Sequence, residues 1–164
     1  MPKLIIIRGP LGVGKTTISK KLAAKIDAEY ISIDQIIEEH KLDQATDGQG
    51  IPVENFIKGN EIVLPKIKDV LQQSRSVILD GCFYHQKQIE HLINNVDAKS
   101  IVFTLKAPIK TCISRDSGRK KVYGADSARA VHDMVSRFDY GIIINTEDKR
   151  VEDTVEEILK KFKK

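Results

Sequence analysis

Residues 3–25 read KLIIIRGPLGVGKTTISKKLAAK. Leu4 to Ile7 is a short, β-branched apolar run, the pattern of a strand covered on both faces. Ile18, Leu22 and Ile26 then recur at helical spacing, which predicts a helix beginning near Lys15. Gly9, Gly12 and Gly14 lie between, where the chain must turn sharply and expose its amides. The spacing Gly9-x-x-x-x-Gly14-Lys15-Thr16 is that of a phosphate-binding loop, whose N–H groups converge at a helix N-terminus to hold an anion. Gly9, Pro10, Leu11, Gly12, Val13, Gly14, Lys15, Thr16 and Thr17 are therefore the expected nucleotide cradle. Lys15 would reach the β- and γ-phosphates, and the Thr16 hydroxyl would ligate Mg²⁺. The plain alternative is a glycine-rich turn with a solvated lysine, which gives no reason for a strand before it and a helix after it.

The rest of the chain alternates strand and helix. Short apolar runs at Tyr30–Ile33, Ser76–Leu79, Ile101–Leu105 and Ile142–Ile144 read as further strands. Helical stretches are expected near Gln35–His40, Val53–Gln73 (with Pro65 a kink or break), Gln86–Ile93, the turn after Pro108, Ala128–Phe138 and Val151–Phe162. Asp43 to Gly50 and Lys120 to Asp126 read as loops. Such alternation implies an α/β fold: a five-stranded parallel sheet with helices on both faces, in three layers. Residues 1–164 fit one domain, with a short lid at about 116–127 and an acceptor-side segment at about 34–74.

Composition narrows the class. The balance of apolar and charged residues is that of a soluble globular protein, and no apolar run approaches membrane-spanning length. Met1-Pro2-Lys3 leads straight into a strand, so no signal peptide is expected and a cytoplasmic location is. Cys82 and Cys112 are too few for a disulfide framework or a metal site. The net charge of +4 owes much to the lysines at the carboxyl end, and this does not make a nucleic-acid binder. His40, His85, His91 and His132 have no metal-ligand or triad spacing.

In parallel α/β sheets ligands bind at the carboxyl ends of the strands. Strand two ends in Ile33-Asp34 and strand three in Leu79-Asp80-Gly81. Asp34 is either the cap of the next helix or an acceptor-side catalytic acid. Asp80 is either a turn acid or a second Mg²⁺ site beside Thr16. Arg115 and Arg119 are spaced four apart on a helix end, as a cover over phosphates requires; a solvated basic face paired with Asp116 and Asp126 is the alternative. Arg129, Asp133 and Arg137 share one helical face and read in part as an ion-pair ladder. Phe83 and Tyr84 fit either an acceptor pocket or the core.

Taken together these residues resemble the P-loop kinases of small acceptors: adenylate kinases, shikimate and gluconate kinases, and chloramphenicol phosphotransferase. The similarity spans nearly the whole chain, and GPLGVGKTT is its most specific part. Arg115-x-x-Gly118-Arg119 is similar to the lid-base arginines of adenylate kinases, which stack on adenine and hold ATP phosphates. Leu79-Asp80-Gly81 resembles that family's ILDG step. Ser32-Ile33-Asp34-Gln35-Ile36-Ile37 resembles the stretch in chloramphenicol phosphotransferase and polynucleotide kinases whose aspartate is the base toward the acceptor hydroxyl. The resemblance also places Asn145 and Thr146 at the adenine. It implies ATP and Mg²⁺ as donor and cofactor and catalytic roles for Lys15, Asp34, Arg115 and Arg119.

The chain departs from nucleotide kinases where they clamp an acceptor phosphate. It has no arginine between Arg8 and Arg75, and Gly81 is followed by Cys82-Phe83-Tyr84. Lysine replaces a bidentate arginine clamp poorly, although Lys58, Lys66 and Lys68 are available. The expected reaction is transfer of the ATP γ-phosphate to a hydroxyl of a small, non-nucleotide molecule. The alternatives are a nucleotide or polynucleotide 5′-hydroxyl kinase, or a nucleotide-dependent switch.

Overall fold

The first apolar run forms β1 (Lys3–Arg8), the middle strand of a five-stranded sheet. Beside it lie β2 (Glu29–Ser32), β3 (Val77–Gly81), β4 (Lys99–Lys106) and β5 (Ile142–Asn145), in the order β2-β3-β1-β4-β5. Every pairing is parallel; Ile6 stands opposite Leu79 on one side and Val102 on the other. The computed structural model describes residues 1–46, 50–119 and 123–163.

Side chains alternate across a strand, and here both faces are covered. Leu4 and Ile6 join a core built with α2 (Ile33–Glu39), α3 (Val53–Gln72), α4 (Gln86–Asn94) and α6 (Ala125–Ser136). Ile5 and Ile7 join a second core with α1 (Lys15–Ile26), α5 (Ile109–Ser117) and α7 (Val151–Phe162). A strand buried twice has no polar face to show, so its sequence is continuously apolar. Cys82 and Cys112 are free and buried. No helix among the described residues is long and apolar enough to cross a membrane.

Some boundaries differ from expectation. Strand two stops at Ser32, whose hydroxyl accepts from the Gln35 N–H at 3.3 Å; Ile33 opens α2 and does not end the strand. β3 continues through Asp80 and Gly81, which pair with Ile7 and Arg8. α3 runs through Pro65 as one helix of 20 residues, because its buried stripe from Phe56 to Val70 packs along the sheet on both sides of the proline. α6 begins at Ala125, three residues before the expected start, with Gly124 as its N-cap. The expected loops at 43–50 and 120–126 fall partly outside the described residues, at 47–49 and 120–122; Thr46 and Gly50 form an isolated antiparallel bridge.

Candidate active site

β1 delivers the glycine-rich loop to the carboxyl edge of the sheet. Gly12, at φ +78, lies against α5 so closely that a Cβ would sit 2.1 Å from the Cys112 carbonyl oxygen. Gly14 caps α1 without a side-chain acceptor, so the first amides of that helix face a cleft of about 490 Å³. Lys15 is buried, and its Nζ donates to the Pro10 carbonyl at 2.9 Å, folded across its own loop.

The cleft gathers residues from five segments of the chain. Leu11 to Thr17, Asp34, Asp80, Arg115, Arg119 and Thr146 all line it. Gly9 and Pro10 do not, and neither does Asn145, whose carboxamide oxygen accepts from the Glu147 N–H at 2.9 Å. Reasoning from the sequence missed Ser32, Tyr123, Lys149, Arg150 and Thr154, which also line it. Lys149 and Arg150 lie four and five residues past the end of β5, so the strand-end rule that singled out Asn145 and Thr146 reaches them when extended by four residues.

Asp80 is almost fully buried. Burial raises its pKa to about 6; the Lys15 charge opposes the shift, the Asp34 charge adds to it, and a hydrogen bond from the Tyr30 hydroxyl to Oδ2 at 3.1 Å opposes it. Tyr30 is itself held in its neutral form by burial and by the Asp80 charge. This tyrosine was also missed, although Tyr30 and Ser32 share one face of β2 by alternation.

Asp34 is not the cap of α2; Ser32 takes that place, and Asp34 sits in the first turn. Its carboxylate accepts from the Cys82 N–H at 3.1 and 3.3 Å. Gly81 permits this approach, since a Cβ there would lie 2.3 Å from Ile33 Cγ2 and 3.2 Å from Asp34 Oδ1. The Cys82 thiol is pushed up to about 12 by burial and the Asp34 charge, which keeps it protonated and unreactive.

The two arginines differ. Arg115 is fastened to the scaffold: it donates to the Val13 carbonyl at 3.2 Å and to Oγ1 and the carbonyl of Thr146 at 3.1 Å each. It ties the phosphate loop to the turn after β5. Arg119 has looser contacts, 3.9 Å from Asp116 Oδ1 and over the Tyr123 ring at 5.8 Å. Arg129 and Arg137 lie outside the cleft, paired with Asp126 and Asp133 on the exposed face of α6.

Other candidates resolve as structure. Phe83 and Tyr84 are buried in the core and do not line the cleft. Lys66 pairs with Glu29 at 2.6 Å, and Lys68 lines a separate groove with Pro2 and Asn95. The histidine rings hydrogen-bond to nearby groups: His40 to the Ile36 carbonyl, His85 to that of Ile51, His132 to that of Ala107, and His91 to Asn60. Arg8 is fully buried, with its pKa lowered to about 10 by desolvation. It donates to the carbonyls of Phe83, Val135 and Phe138 and to Thr104.

Among the described residues no cluster of three His, Cys, Asp or Glu side chains could hold a metal by itself. The Thr16 hydroxyl and the Asp80 carboxylate do share the cleft. Two oxygen donors beside a phosphate cradle suit Mg²⁺, which keeps several waters and takes further oxygens from a nucleotide.

A family model described as an AAA domain matches residues 4–140. An adenylate kinase of Rickettsia typhi is 30% identical over an alignment of 172 residues, covering 96% of this chain and 78% of the relative. A shikimate kinase of Vibrio parahaemolyticus is 30% identical over 120 residues, covering 71% of this chain and 66% of the relative. The solved structure of a sugar kinase from Janibacter sp. superposes with a TM-score of 0.81 at 16% identity, covering 98% of this chain and 94% of that one.

Proposed function

We propose, for a chain that belongs to the AAA domain family and is a P-loop kinase, transfer of the γ-phosphate of ATP to a hydroxyl group of a small, non-nucleotide acceptor. The observation that carries this reading is the placement of Asp34. It lines the same cleft as Lys15 and Thr16, yet it comes from α2 and is held by the Cys82 N–H. A second acid of this kind, carried by an element that supplies no part of the phosphate loop, suits a group that acts on an acceptor.

Catalysis of phosphoryl transfer is mostly positioning and charge stabilisation. The loop amides and Lys15 hold the β- and γ-phosphates. Thr16 and Asp80 would hold Mg²⁺, which would neutralise phosphate charge. Arg119 faces the transferring group, and Arg115 keeps the loop and the Thr146 turn in register. The acceptor oxygen bonds to the γ-phosphorus as the bond to the β-phosphate oxygen breaks, ADP leaves, and Asp34 takes the hydroxyl proton late. Thr146, Lys149 and Arg150 form the wall at the base and ribose end. An ATP-dependent transfer of this kind suits the cytoplasm, where ATP is abundant.

Charge supports a non-nucleotide acceptor. Residues 34–74 carry eight Asp and Glu against four Lys and no Arg. Arg8 is spent on backbone carbonyls, and Arg75 faces Asp27 and Glu29. An acceptor phosphate would find no bidentate clamp here. The similarity to an adenylate kinase favours a second reading, a nucleoside monophosphate acceptor. The test is to incubate the enzyme with γ-labelled ATP and a metabolite pool and follow the label by mass spectrometry. Label in a non-nucleotide alcohol is the expected result; label in nucleoside diphosphates makes the second reading correct.

A further inference from the structure

Asp116 does not line the cleft, yet it touches Arg119 and Tyr123, which do. It closes the last turn of α5 and is only 2% exposed, while its neighbour Arg119 is 41% exposed. Its Oδ2 accepts from the Tyr123 N–H at 3.2 Å and from the Gly124 N–H at 3.1 Å, and Oδ1 lies 3.9 Å from the Arg119 guanidinium. Gly124 is the N-cap of α6, so the carboxylate also meets the positive end of that helix. One buried acid thus joins the C-terminus of α5 to the N-terminus of α6. Between these ends stands Arg119, over the ring of Tyr123, and both residues line the cleft.

We propose that Asp116 is the positioning residue for Arg119: by binding the Tyr123 and Gly124 amides and facing the guanidinium, it holds that cation at the phosphate end of the cleft. A freely solvated arginine carries several rotatable bonds and loses their entropy each time it engages a ligand. A buried counter-charge at 3.9 Å and a ring centroid at 5.8 Å from the head group reduce that loss in advance. Two amide hydrogen bonds account for the carboxylate's burial, because an unpaired buried charge is strongly unfavourable. Oδ1 accepts from the Tyr123 N–H only at 3.4 Å and turns the rest of its charge toward Arg119, which a positioning role explains. The inference rests on the reading of Arg119 given under Proposed function.

The test maps arginine modification by phenylglyoxal, with and without ATP·Mg²⁺, in the full-length chain. With ATP·Mg²⁺ at about ten times its Kd, modification of Arg119 in the wild type should slow about tenfold, the factor set by the unoccupied fraction. Arg129, outside the cleft, should be unaffected. In Asp116→Ala the nucleotide should still bind through the phosphate loop, as displacement of a fluorescent ATP analogue reads, while the protection of Arg119 disappears. Asp116→Asn keeps an acceptor oxygen for the amides but removes the charge, and should lose protection in part; it carries the comparison if Asp116→Ala lacks a cooperative unfolding transition. Equal protection of Arg119 in wild type and variants overturns the proposal. Absence of protection in the wild type overturns the reading of Arg119 itself.

Discussion

Tyr30 donates its hydroxyl hydrogen bond to Asp80 across neighbouring strands of the sheet, 3.1 Å from Oδ2. The pair is buried, and desolvation outweighs both that bond and the Lys15 charge, leaving Asp80 with a pKa of about 6. An acid with a raised folded-state pKa binds its proton more tightly folded than unfolded. Its contribution is therefore most favourable at low pH, and stability is lost as pH rises from about 4 through 6. The full cost, on the order of 3 kcal/mol, is present above that window. Asp80→Asn keeps an acceptor for Tyr30 without the charge. Thermal unfolding of the nucleotide-free protein should show the variant more stable than wild type at pH 7, with the gap closing toward pH 4. A gap independent of pH would mean that Asp80 is not held as a strained buried anion.

Arg119→Ala should lower turnover by on the order of 10²–10⁴-fold while weakening ATP·Mg²⁺ binding far less, as expected for a group acting on charge in the transition state. Steady-state kinetics beside a binding isotherm separate the two. A loss confined to affinity would make Arg119 a ground-state contact.

Arg8→Met should destabilise the fold. The apolar side chain fills the stem's volume but leaves the carbonyls of Phe83, Val135 and Phe138 without their donor. Each buried acceptor left unpaired costs about 1–3 kcal/mol. For a loss of about 3 kcal/mol, the melting temperature of a chain this size falls by roughly 6–12 °C. An unchanged melting temperature would mean that the cost of burying the guanidinium, visible in its pKa of about 10, cancels its hydrogen bonds.

What the sequence made legible is what local patterns encode. The strand, loop and helix from Leu4 to Ile26 are specified by residues within one stretch, and α7 begins and ends where its periodicity places it. The acids at the ends of strands two and three could be singled out because parallel sheets put such ends together. Contacts made across the sheet were not legible. Tyr30 meets Asp80 at a separation of 50 residues, and Arg8 meets Phe83 at 75 and Phe138 at 130. Arg8 read as an unremarked end to an apolar run, because nothing local shows that the carbonyl just past β3, the Thr104 hydroxyl on β4 and the carbonyls at the end of α6 converge on it. Asn145 had only its place after a strand to speak for it, and its side chain turns to its own loop.

The central claim is that Asp34 acts on the acceptor and not on the nucleotide. Asp34→Asn retains the size of the side chain and an oxygen to accept from the Cys82 N–H, and Ser32 still caps α2. Only the charge that orients a hydroxyl and takes its proton is removed. The decisive measurement runs wild type and Asp34→Asn side by side, following the γ-phosphate of labelled ATP into a metabolite pool while recording ATP·Mg²⁺ affinity and melting temperature. Unchanged affinity and melting temperature with collapsed transfer are predicted. Loss of ATP·Mg²⁺ binding in step with transfer would place Asp34 on the metal, and undiminished transfer would reduce it to a structural partner of Cys82.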